Sequence, residues 1–134
     1  MRIFLDTGFF IALSDAKDKN HRRAKESFKN YVTNGARFIT GRHIVIEYID
    51  GVTKRISKKK AVEELDNIMS SKLLVIEPAI EQDWEKSIIY FRKYGDHQID
   101  MTDCLSFAIM ERLQLKMVLT FDNDFKTHGF EGLK

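Results

Sequence analysis

The sequence is poor in residues that staple, break or anchor a chain. Its 134 residues include one cysteine, Cys104, and one proline, Pro78. A lone cysteine excludes an internal disulfide framework, and it fits a reducing cytoplasm. The four histidines (His21, His43, His97 and His128) are scattered without ligand spacing, so nothing resembles a zinc site. No apolar run approaches the roughly 18 residues of a membrane span. The apolar N-terminus is broken by Asp6 and is read as neither a span nor a leader. Repeats and low-complexity segments are missing, and so is an excess of one charge. Lys and Arg number 22 against 20 Asp and Glu, a net charge of +2 that neither demands nucleic acid nor argues against a local basic patch. What is present is a 43% hydrophobic chain of one-domain length, expected to fold as a single unit over residues 1–134.

Periodicity alternates between strand and helix. Residues 2–6, 36–40, 72–78 and 116–121 are short apolar runs that read as strands, the third stopped by Pro78. Between them lie helical patterns. A short apolar helix is expected over residues 8–14. A second opens at Asp18, carries Ala24, Phe28, Tyr31 and Val32 on one face, and ends near Gly35. Residues 43–54 present Ile44, Ile46, Tyr48, Ile49 and Val52. Residues 57–69 start at Ser57 as N-cap and turn Val62, Leu65 and Met69 inward. Ile80, Trp84, Ile88 and Phe91 recur at helical spacing up to Gly95, and Leu105, Ala108, Ile109 and Leu113 mark a helix over residues 102–113. Strands separated by helices imply an α/β fold with parallel pairing, whose ligands gather at strand carboxyl ends and helix N-termini.

The carboxylates fall at those places. In FLDTGFF, Asp6 ends the first strand within an otherwise apolar stretch, and an unpaired buried carboxylate costs several kcal/mol at least. Asp103 starts the 102–113 helix with Asp100 one turn before it, Asp122 follows the fourth strand, and Glu47 lies among apolar neighbours. Each has a structural alternative: a helix cap for Asp6, an N-cap and capping-box pair for Asp100 and Asp103, an Asx turn for Asp122 and Asp124, solvent for Glu47. Together they are harder to explain that way. Two carboxylates about 5 Å apart repel by roughly 3 kcal/mol at an effective dielectric of about 20. Convergence therefore requires protonation or a cation. Oxygen-only ligands suit Mg²⁺ or Mn²⁺, with Asp6 as one of the ligands.

FLDTGFFIAL, the Glu of VIEYID, MTDCLSFAIM and LTFDNDF, in this order, resemble the PIN domain, and within it the VapC-type toxins of toxin–antitoxin pairs. The similarity runs from Asp6 to HGF at 128–130. It implies a three-layer α/β/α sandwich around a parallel sheet of four to five strands. It implies a metal-dependent endoribonuclease using Mg²⁺ or Mn²⁺, with Asp6, Glu47, Asp103 and Asp122 as the catalytic and metal-binding quartet. Thr7 matches a supporting hydroxyl, Asp100 and Asp124 are additional acids, and Asp96 matches a frequent acidic position in the preceding loop. Gly8 stands where serine is common. The resemblance further implies an RNA substrate, a cognate antitoxin whose tail occupies the acidic groove, a homodimer, no membrane association and a cytoplasmic location.

Three rivals remain at this stage: a housekeeping nuclease of the same fold, a Mg-dependent phosphatase, and an inactive binding module. An aspartyl-phosphate phosphatase usually wants a second aspartate two residues after the first, where this chain has Gly8. The intact quartet argues against an inactive module. The basic residues of RISKKK at 55–60, and Arg22, Arg23 and Lys25, are solvated helix faces with the capacity to meet phosphates. His21 reads as local structure, and Cys104 as a small core residue with no histidine placed to activate it.

Overall fold

The computed structural model describes residues 1–133. Ile3, Phe4 and Leu5 are buried because β1 (Arg2–Leu5) lies inside the sheet, between β2 (Arg37–Gly41) and β4 (Val118–Leu119). β3 (Leu74–Glu77) pairs with the other side of β2, giving the order β3-β2-β1-β4, every pair parallel. The register sets Phe4 against Ile39 on one side and Val118 on the other. The edge strand β3 is correspondingly less buried, with Val75 57% exposed.

The helices follow the strand signals. α1 (Thr7–Ser14) and α2 (His21–Thr33) connect β1 to β2; α3 (Arg42–Arg55) and α4 (Lys58–Ser70) connect β2 to β3; α5 (Glu81–Lys93) and α6 (Met101–Arg112) connect β3 to β4; α7 (Asp124–His128) closes the chain. The first two crossovers step one way along the sheet and the third steps back. Right-handed connections therefore place α1–α4 on one face and α5 and α6 on the other, which makes the three-layer sandwich. The direction of winding reverses between β1 and β4, so a crevice opens at their carboxyl ends.

Local signals explain the helix boundaries. Ser57 caps α4 by accepting the Lys60 N–H at 3.0 Å, as expected. Asp100 caps α6, its Oδ1 accepting the Asp103 N–H at 2.9 Å. α2 starts three residues later than expected: Asp18 accepts the Asn20 N–H in a turn before it, and the helix runs from His21, whose Nδ1 lies 2.7 Å from Ala12 O. Gly41, at the junction of β2 and α3, has no room for a side chain, because a Cβ there would lie 2.2 Å from the His43 ring.

Three apolar faces differ from the sequence reading. Ile46 of α3 is exposed, while Ile44, Val45, Tyr48 and Val52 face inward. α4 is rotated by about one residue: Ala61 and Ile68 are buried, Leu65 is half-buried, and Val62 and Met69 are exposed. The largest difference is in α5. Its Ile80, Trp84 and Phe91 are exposed, and Ile88 is half-buried. The inward positions are Asp83, Ser87 and Tyr90, with Tyr94 just beyond the helix. The cause is a set of polar contacts with α6 and α7. Arg112 donates through Nε to both Asp83 oxygens (3.0 and 3.1 Å), through Nη1 to Glu77 (3.0 Å) and through Nη2 to Pro78 O (3.2 Å). Tyr90 donates to Glu111 at 2.7 Å, and Tyr94 Oη lies 2.6 Å from His128 Nδ1.

Candidate active site

The crevice between the ends of β1 and β4 is a cleft of about 390 Å³. Asp6 and Thr7 enter it from the turn between β1 and α1, and Glu47 from α3. Asp100 and Asp103 enter from the start of α6, and Thr120, Phe121 and Asp122 from the turn after β4. Parallel strands that end on one side bring these groups together, although they span the chain. The backbone itself ties two of the strands here, with Asp6 N–H donating to Leu119 O at 3.2 Å.

All four residues of the expected quartet line this one cleft, as do Thr7 and Asp100. Asp124, outside the lining of the cleft, stands beside two of the quartet: oxygens of Asp103, Asp122 and Asp124 all lie within 4.8 Å of one another. Asp96 is exposed and outside the residues lining the cleft. Glu47 is exposed at the cleft, as are Asp100 and Asp122, whereas Asp6 and Asp103 are buried.

Asp6 is 7% exposed and occupies the N-cap position of α1 without a capping side-chain hydrogen bond. Its Oδ2 instead accepts the Thr120 hydroxyl at 2.9 Å, and the same Thr120 Oγ1 accepts the Asp122 N–H at 3.1 Å. One buried hydroxyl thus fixes Asp6 and the Asp122 turn together. Sequence reasoning missed Thr120, whose one signal was its place at the end of the fourth strand. Asp122 does form the expected Asx turn, accepting the Asp124 N–H at 2.8 Å. That turn folds the segment back so that Asp122 and Asp124 stand beside Asp103.

The electrostatics show the strain of this convergence. Burial raises Asp6 from 3.8 to about 6. Thr120 and the Thr7 backbone oppose the rise, and Asp122 and Glu47 add to it. Asp103 is driven well above the ordinary carboxylate range, first by burial and then by Asp100, Asp6, a side-chain hydrogen bond with Asp124, and Asp122. Asp122 is also raised, by burial and by Asp124. Gathered carboxyl groups of this kind are relieved either by a proton or by a cation. The Thr7 hydroxyl is buried and has no hydrogen-bond partner within the protein. An all-oxygen set of mutually repelling carboxylates with an unsatisfied hydroxyl beside it fits a hard divalent cation. Cys104, next to Asp103, is fully buried and raised by burial to about 11, which makes it an inert core thiol.

Known proteins resemble this chain over nearly its whole length. A model of the PIN domain family matches residues 3–131. The 23S rRNA-specific endonuclease VapC20 of Mycobacterium tuberculosis is 27% identical over 131 residues, covering 96% of this chain and 95% of that protein. The crystal structure of M. tuberculosis VapC20, described as a sarcin-ricin loop cleaving toxin, superposes with a TM-score of 0.86 at 24% identity, covering 96% of this chain and 95% of that one. VapBC2 from Rickettsia felis, bound to a DNA fragment from their promoter, gives 0.75 at 14% identity, covering 99% of this chain and 98% of that one. At such identities the structural likeness establishes the fold.

Proposed function

The chain belongs to the PIN domain family, and from that premise we propose that it is a metal-dependent endoribonuclease acting as the toxin of a VapBC-type toxin–antitoxin pair. The observation that carries the nuclease reading is the convergence of Asp6, Glu47, Asp103 and Asp122 on one cleft, with oxygens of Asp103, Asp122 and Asp124 within 4.8 Å of one another. In this reading Asp6, Asp103, Asp122 and Asp124 hold Mg²⁺ or Mn²⁺, Glu47 completes the set from α3, and Thr7 and Asp100 support it. When bound, the ion supplies an acidified water as nucleophile and offsets charge on the phosphate oxygens. The chain's own residues do the positioning. Thr120 orients Asp6 by holding Oδ2, the Asp122 turn aims two carboxylates at Asp103, and Asp100 anchors the first turn of α6 from which Asp103 projects. No carboxylate needs to attack phosphorus.

The antitoxin partner is supported by the structural neighbours, several of which are toxin–antitoxin complexes. The RNA substrate is supported by the VapC20 relative, which makes 23S rRNA the first RNA to test. In this reading residues 1–134 act as a single nuclease domain, in the cytoplasm where such RNA is found; no helix among the described residues is long and apolar enough to cross a membrane. A homodimer is supported by the exposed stripe of α5, where Trp84 is 49% and Ile89 61% exposed.

The test is co-purification with the product of the neighbouring gene, followed by RNA cleavage with and without Mg²⁺. Cleavage that requires Mg²⁺ or Mn²⁺ and is suppressed by the partner is the expected result; full activity in excess chelator would overturn the metal mechanism. Asp103→Asn should abolish cleavage in a folded protein, since a neutral amide binds Mg²⁺ poorly. An unchanged rate would leave Asp103 as part of a helix start.

A further inference from the structure

Phe121 belongs to two clefts. The second, of about 420 Å³, shares Thr120, Phe121 and Asp122 with the acidic one and is also lined by Arg23, Asn123, Lys126, Phe130 and Glu131. Its two cations arrive from separate elements, Arg23 from α2 and Lys126 from α7. The Arg23 guanidinium carbon stands 5.6 Å from the Phe121 ring centroid, and that ring stacks on the fully buried Phe9 at 5.9 Å. The guanidinium therefore rests on a platform fixed to the core, at the border of the carboxylate cluster. Its planar fork of donors matches phosphate oxygens. Phe130, held 6.0 Å from Phe107 and 5.4 Å from His128, adds an aromatic wall of the kind on which bases stack. The other basic segment does not reach this place: Arg55 lines a cavity with Tyr48 and Val52 instead.

We propose that the cleft between α2 and α7 is a nucleotide subsite of the same active site, in which Arg23 and Lys126 bind the RNA phosphate next to the scissile one and Phe130 meets the adjoining base. The proposal rests on the nuclease reading. Contiguous clefts suit contiguous phosphates: the acidic cleft with its cation takes the bond to be cut, and the basic cleft takes its neighbour. This also explains how a chain of net charge +2 with an acidic centre can hold a polyanion. Among the described residues Glu131 is the one lining acid outside the carboxylate cluster, and it opposes a phosphate there.

The experiment measures binding of a short fluorescent single-stranded oligoribonucleotide across a salt series, with Ca²⁺ in place of Mg²⁺, for the wild type, Arg23→Gln, Lys126→Ala and Glu131→Gln. Steady-state cleavage in Mg²⁺ and the Mg²⁺-induced rise in melting temperature are measured alongside. Each cation removed should weaken binding by about tenfold and lower the salt slope by about one. KM should rise more than kcat falls, and the melting response to Mg²⁺ should stay as in the wild type. Glu131→Gln should bind more tightly. Cation variants that bind RNA as the wild type does, with an unchanged salt slope, overturn the subsite while leaving the nuclease reading standing. A wild type that responds to Mg²⁺ but neither binds nor cuts RNA removes both. Lys126 is exposed on a surface helix, so its variant keeps the test open if substitution at Arg23 perturbs folding.

Discussion

Asp6 sits where a helix cap would sit and does not act as one. Its carboxylate turns to Thr120 and the other acids, and the two readings of this residue predict opposite signs. As a cap, Asp6→Asn would cost a few tenths to about 1 kcal/mol. As a buried carboxylate raised from 3.8 to about 6, it opposes folding at neutral pH, each unit being worth about 1.4 kcal/mol. Asn keeps the size and can still accept from Thr120. In chelator the variant should therefore be more stable than the wild type by about 1 to 3 kcal/mol, a rise in melting temperature of about 3 to 10 °C. At ten times its dissociation constant, Mg²⁺ should return about 1.4 kcal/mol to the wild type and much less to the variant. Thermal melting of both proteins in both conditions decides between the readings. A variant that melts lower in chelator, beside a wild type indifferent to Mg²⁺, would make Asp6 structural. At this scale the places of Asp6, Asp103 and Asp122 were legible, because strand ends and helix starts can be located from periodicity; Glu47, inside α3, stood out by its apolar neighbours and by the resemblance. The sequence showed the Asx turn of Asp122 but not the Thr120 contact or the approach of Asp124 to Asp103, because both are made across strands and helices distant in the chain.

At the scale of elements, the four strands and six of the helices follow from hydrophobic runs, Ser57, Pro78 and the helical spacings, while α7, five residues long, is too short to have a period. The faces were less legible than the elements. The apolar stripe of α5 reads as a core face, yet it points outward because Asp83, 1% exposed, is bound by Arg112. A half-buried ion pair between α5 and α6 thus overrules the apolar period, and its pairing spans 29 residues, beyond any local rule. The consequence is measurable. Arg112→Met leaves Asp83 as an uncompensated buried charge and should destabilise by about 2 to 4 kcal/mol in urea unfolding. Adding Asp83→Leu should recover much of that loss. A single variant as stable as the wild type would mean that the apolar contacts of α6 alone orient α5. The stripe left outside has its own test: Trp84→Asp should shift the protein to a monomer in sedimentation if α5 forms the dimer surface, and leave sedimentation unchanged if it does not.

At the scale of the whole molecule, the acidic cleft should set how stability depends on pH, and the signs can be followed group by group. Asp6, Asp103 and Asp122 are raised in the folded state, so the native protein holds protons that the unfolded chain releases. Their contribution is fully present below the ordinary carboxylate range, near pH 4, and is lost as pH rises through the folded values, for Asp6 near 6 and for Asp103 higher. His43 acts in the opposite sense. Burial lowers it from 6.5 to about 4, so the unfolded chain takes up a proton that the native state refuses, and stability falls as pH drops from 6.5 to 4. Glu111, lowered on balance by His128 and Tyr90 against the effect of burial, adds a loss at still lower pH. Between pH 4 and 6 the His43 and Asp6 effects oppose each other; above 6.5 only the carboxylates remain. Asp103 and Asp122 add to the Asp6 loss over that range, so the metal-free protein should lose stability from pH 4 upward, by about 1 to 3 kcal/mol between pH 6.5 and pH 9. Saturating Mg²⁺ should remove this alkaline loss, because a bound cation favours the ionised carboxylates that their mutual repulsion and burial disfavour. His43→Gln should steepen the loss between pH 4 and 6.5, because it removes the one effect that opposes the carboxylates there. The measurement is melting temperature from pH 4 to pH 9, in chelator and in Mg²⁺. Identical slopes above pH 6.5 in the two conditions would show that the cleft's carboxyls do not gather around a metal, and the nuclease reading would lose its physical basis.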